Sequence, residues 1–110
     1  VFNFWQSWSA PCLKELGRLQ RLHERAGARA PVIVAFHGGK DRAALDAIRK
    51  RHELRFSLVQ DTDQRVARLY GVSCWPTTIV IDARGRLGRV QFGLSHEWGE
   101  AESASESSAS

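Results

Sequence analysis

Methionine is absent from the 110 residues, and the chain holds two cysteines and three prolines. Without a methionine, Val1 is not expected to be a translational start, and residues upstream are expected to have been removed or left out. Two cysteines, Cys12 and Cys74, are too few for a disulfide framework and lack the clustered Cys/His spacing of a zinc site. His23, His37, His52 and His96 are scattered, so no metal ion is expected. No apolar run approaches the roughly 18–20 residues of a membrane-crossing helix, which excludes a span in this stretch. What remains is 43% hydrophobic and 25% charged, the profile of one globular domain able to bury a core without metal or disulfide.

Charge is uneven. Residues 1–95 carry all 16 basic groups against 8 acidic ones, a net of +8, whereas residues 96–110 carry four glutamates and no Lys or Arg. Arg18, Arg21, Arg25 and Arg29 recur at helical spacing, which reads as one solvated helix face. No aromatic-basic interleaving accompanies them, so a nucleic-acid partner is not expected.

The chain alternates strands and helices. Val1 to Trp5 reads as a core strand. Pro11 suits a helix's first turn, and Leu13, Leu16, Leu19, Leu22 and Ala26 form its apolar stripe, with Gly27 placed to end it. Val32 to Phe36 is a continuous apolar run of the kind buried on both faces of a sheet. Asp41 caps a helix with Ala44, Leu45 and Ile48 inward. Phe56 to Val59 is a short strand, and Asp61 opens a helix with Val66, Leu69 and Tyr70 inward. Thr77 to Ile81 and Arg86 to Phe92 form a hairpin about the Asp82 to Gly85 turn. The order β-α-β-α-β-α-β-β implies an α/β domain, a largely parallel sheet covered on both faces with an antiparallel hairpin at its end. Ser95 is placed to cap a weak C-terminal helix containing Trp98. The domain is expected to span residues 1–98, with 99–110 a Ser/Glu-rich tail too poor in apolar groups to order.

Two segments carry a family resemblance. Phe4-Trp5-Gln6-Ser7-Trp8-Ser9-Ala10-Pro11-Cys12 resembles the active-site segment of thioredoxin-fold proteins, and Tyr70-Gly71-Val72-Ser73-Cys74-Trp75-Pro76-Thr77-Thr78 resembles their cis-proline segment. Asn3 and Cys12-Leu13-Lys14-Glu15 look most like the TlpA/ResA type of bacterial thiol–disulfide oxidoreductase. The resemblance implies a thioredoxin-like fold, a central mixed β-sheet flanked by helices. It also implies a role in cell redox homeostasis, a protein or peptide thiol/disulfide partner, no cofactor, and a periplasmic or envelope setting.

The family's exchange reaction begins with a cysteine thiolate at a helix N-terminus, and a second cysteine then releases the mixed disulfide. Here Ser9 occupies the first position. A serine hydroxyl does not ionise near neutral pH and forms no disulfide, so ordinary Cys-x-x-Cys exchange is expected to be impaired, with Ser9 a helix cap. Cys12 matches the resolving cysteine and is expected to be buried. Cys74 is expected to be exposed and able to form a mixed disulfide or a Cys74-linked dimer; a Cys12–Cys74 bond stays open.

Trp75-Pro76 is expected to be cis. Trp8, Trp75, Pro76 and Thr77 are the candidate substrate-binding residues, by a strand-addition mode in which the residue before the proline pairs with bound peptide. An alternative function follows, a redox-inactive module holding a peptide or protein in that groove. The tryptophans serve equally as shields of the helix terminus. Glu15 matches a carboxylate that the TlpA/ResA type places near its cysteines, and also reads as an ordinary early-helix acid favoured by the dipole. Gly17 stands where the family has a helix-kinking proline.

Overall fold

The computed structural model describes residues 1–94. The C-terminal helix expected from Ser95, the domain boundary at 98 and the tail lie outside the described residues. Within them the chain runs β1 (Phe2–Trp5), α1 (Ala10–Ala26), β2 (Val34–His37), α2 (Arg42–Arg51), β3 (Ser57–Gln60), α3 (Arg65–Leu69), β4 (Thr77–Ile81) and β5 (Leu87–Phe92). The expected element order is the observed one.

The sheet order is β3-β2-β1-β4-β5. The strands β1, β2 and β3 are parallel, as their intervening helices require, while β4 runs antiparallel to both β1 and β5. Alternation along β1 sorts its side chains by face. Trp5 joins Leu16, Leu19 and Leu22 of α1 and Leu45 and Ile48 of α2 in the larger core. Phe4 joins Ala67 of α3 and Ile79 in a smaller core on the other face. There its ring stacks on Phe36 at 5.1 Å, and Phe2 meets Phe36 edge-on at 5.5 Å.

Polar side chains fix the connections. Asp41 Oδ1 accepts from the Ala43 and Ala44 amides and caps α2. Gln20, buried on α1, accepts from the Arg55 amide at 2.8 Å and so ties α1 to the loop before β3.

Three expectations of inward-facing residues fail, at Val32, Leu69 and Tyr70. Val32 is 79% exposed and lies ahead of β2, because the strand starts at Val34, opposite Phe2. Leu69 is 79% exposed rather than inward. Asp63 and Gln64 take positive φ (60° and 55°), which breaks a 3₁₀ turn (Thr62–Gln64) from α3 and resets the helical phase. Ala67 therefore enters the core, and Tyr70 is 47% exposed yet keeps its ring 5.8 Å from that of Phe2.

Candidate thiol site

Sheet pairing brings the two motif segments together. Phe4, one residue from the end of β1, lies opposite Thr77, the first residue of β4. The loop leaving β1 toward α1 and the loop entering β4 therefore share one end of the sheet. Trp75 packs against the core cluster that contains Trp5 and Cys12.

Ser9 is the N-cap of α1. Its backbone is extended, its Oγ accepts from the Cys12 amide at 3.4 Å, and its carbonyl accepts from the Leu13 amide at 3.1 Å. It is 6% exposed, so its hydroxyl is engaged in holding the helix start. Cys12 is fully buried among leucines of the same helix. Burial pushes its thiol pKa up; hydrogen bonds from Ser9 and from the Gln6 amide, 3.5 Å from Sγ, oppose the shift, and the Glu15 charge adds to it. The protonated thiol is the favoured form.

Glu15 is no ordinary early-helix acid. It is the sixth residue of α1 and fully buried. Helical phase is the cause, since Cys12, Glu15, Leu16 and Leu19 fall on one inward stripe.

Cys74 is exposed, and neither cysteine is in a disulfide. Thr77 Oγ1 donates to the Cys74 carbonyl at 2.7 Å and lies 3.5 Å from Cys74 Sγ. With its proton committed to the carbonyl, Thr77 can only accept from the thiol. The Trp75–Pro76 peptide bond is cis. Pro76 and Thr77 are buried, and the Pro76 carbonyl accepts from the Gly93 amide at 2.8 Å. Trp8 is 73% exposed, Trp75 is half-buried, and Trp5 is fully buried. Of the four candidate substrate-binding side chains, then, only the two tryptophans reach the surface.

Several contacts at this end of the sheet were not signalled by the sequence. The His37 ring lies against Trp5 with ring centroids 4.5 Å apart and planes tilted by 32°, and its Nδ1 lies 3.2 Å from Gln60 Oε1. The Gln60 amide donates to the Gly39 carbonyl. Gly38 and Gly39 close over this cluster, because a Cβ at either would come within 3.0 Å of Gln6 or His37. Asn3 is buried and donates to Thr78 Oγ1 at 2.9 Å. These pairings join residues far apart in the chain, and the Gly38-Gly39 break was their one local sign.

Comparison with known proteins agrees with this arrangement. The chain is 33% identical over 95 residues to the thiol-disulfide oxidoreductase ResA of Bacillus subtilis, covering 86% of this chain and 53% of the relative. It is 30% identical over 91 residues to ResA of Geobacillus thermodenitrificans, covering 83% and 52% respectively. The chain thus spans about half the length of these curated relatives. Among solved structures, StoA from Bacillus subtilis superposes with a TM-score of 0.77 at 22% identity, covering 96% of this chain and 78% of that one. A secreted thiol-disulfide isomerase from Corynebacterium glutamicum gives 0.83 at 25% identity, covering 96% and 67%. The fold is thioredoxin-like, and the profile described as the AhpC/TSA family matches residues 1–90. The chain belongs to the AhpC/TSA family.

Proposed function

We propose that the chain is a thiol–disulfide exchange module whose working thiol is Cys74, acting on a protein or peptide disulfide. The observation that carries this reading is the contrast between the two thiols. Cys74 is exposed beside the cis-proline, whereas Cys12 is buried and held protonated. Ser9, in the position of the attacking cysteine, is spent on the helix cap. The ResA relatives supply the reaction class.

The step is a single exchange. Cys74, as thiolate, attacks one sulfur of the partner's disulfide; a new Cys74–S bond forms, the partner's S–S bond breaks, and the departing thiolate takes up a proton. A second, external thiol then releases the partner by the same exchange, so no electrons are gained or lost overall. Trp8, exposed on the loop leaving β1, and half-buried Trp75, next to Cys74 in the chain, supply apolar contact to the partner.

The alternative, a module that only holds its partner, rests on Trp8 being 73% exposed. One experiment separates the two. The protein is incubated with a disulfide-containing peptide, and the mixed disulfide is measured by mass spectrometry. Cys74→Ser is expected to abolish it and Cys12→Ser to leave it. Loss in Cys12→Ser with retention in Cys74→Ser overturns the assignment. Peptide binding without any mixed disulfide favours the holding module.

A further inference from the structure

A groove between α1 and the C-terminal end of α2 has none of Ser9, Cys12 or Cys74 in its lining. Its volume is about 430 Å³, and it is lined by Leu13, Lys14, Gly17, Arg18, Arg21 and His52. Three of these carry positive charge and a fourth is an imidazole, and among the described residues no acidic side chain lines the groove. Among the described residues the ion pairs are Lys40–Asp63, Arg42–Asp46 and Arg86–Asp82, so Lys14, Arg18 and Arg21 are left without one. Arg18 Nη1 and His52 Nε2 are shielded from solvent and have no hydrogen-bond partner among the described residues.

Gly17 lines the groove without a side chain to fill it. A Cβ there would meet Arg21 Nη1 at 3.7 Å, an ordinary van der Waals contact, and among the described residues no side chain other than those of its chain neighbours comes closer. Its backbone is ordinary helix and makes no demand for glycine. Glycine inside a helix is a poor choice on propensity alone. A merely solvated basic face needs neither the notch nor converging cations.

We propose that this groove binds a small, multiply charged oxyanion, with the guanidinium forks of Arg18 and Arg21 donating to phosphate or carboxylate oxygens and Lys14 acting as a point charge. Planar guanidinium donors match both oxyanions in bidentate fashion. The groove volume falls in the range of small-ligand sites, about 300–1,000 Å³.

Calorimetric titration of the chain with pyrophosphate and, separately, with citrate at about 0.15 M salt tests the site. Saturable one-to-one binding of either probe is expected, and the tighter one identifies phosphate or carboxylate as the recognised group. Arg18→Gln and Arg21→Gln are each expected to weaken binding about ten-fold, the effect of losing a charge-assisted hydrogen bond. Arg84→Gln, in the β4–β5 turn, is expected to leave it unchanged. Gly17→Leu fills the notch with a better helix former, so it is expected to abolish binding while raising the thermal midpoint. The proposal is overturned if neither probe saturates, if Gly17→Leu binds like the parent, or if Arg84→Gln loses as much as Arg18→Gln.

Discussion

Serine and cysteine differ by a single atom, oxygen in place of sulfur, and at residue 9 that difference decides what the α1 terminus does. As an oxygen acceptor Ser9 satisfies the Cys12 amide, but at 3.4 Å the bond is long. Ser9→Ala is therefore expected to cost about 0.5–1 kcal/mol, the weaker half of the range for cap loss, read from a urea midpoint. Ser9→Cys places a thiol at the helix N-terminus next to Cys12. It is expected to add dithiol exchange to the protein; an unchanged rate in a disulfide-reduction assay would show that residue 9 is not the missing nucleophile. That Ser9 would cap a helix was readable from residue type, and the burial of Cys12 followed from its match to the family's resolving cysteine. The burial of Glu15 was not drawn from the helical phase, although Cys12, Leu16 and Leu19 mark the same stripe.

Among the elements, α3 shows how far local pattern reaches. Val66, Leu69 and Tyr70 have helical spacing, yet the kink at Asp63 and Gln64 turns Leu69 outward. Propensity does not foresee two consecutive left-handed residues without glycine. What holds the kink is Asp61, 4% exposed, whose two oxygens accept from the Val66 and Ala67 amides at 2.9 and 3.0 Å. Removing it leaves two amides without acceptors, one of them buried. Asp61→Ala is therefore expected to destabilise by about 2 kcal/mol, and Asp41→Ala, an exposed cap on α2, by about 1 kcal/mol. Equal losses in denaturant unfolding would mean that burial adds nothing to the Asp61 cap. In α1, Gly17→Ala is expected to stabilise by roughly 0.5–1 kcal/mol, since the site has open space and helical backbone.

The whole molecule adds what no local reading supplies, the adjacency of β1 and β4. The order of elements was legible because strands and helices differ in period. The placement of Asn3 beside Thr78 and of Trp5 against His37 depends on pairing across the sheet, and sequence period is silent on that. Global stability also carries the signature of Cys12. Its pKa is raised in the folded state above the ordinary 9.0, so folding favours the protonated thiol. That contribution is complete below the unfolded value and is lost as pH rises through the folded one. The urea midpoint is expected to fall above about pH 9 more steeply in the parent than in Cys12→Ala. Identical slopes would show that Cys12 is not the titrating group.

Whether Cys74 is the thiol open to exchange is tested by native-state alkylation followed by mass spectrometry. A single adduct at Cys74 is expected, with Cys12 protected until the protein is unfolded. Ready modification of Cys12 in the folded protein would contradict it, as would two thiols that react only after reduction.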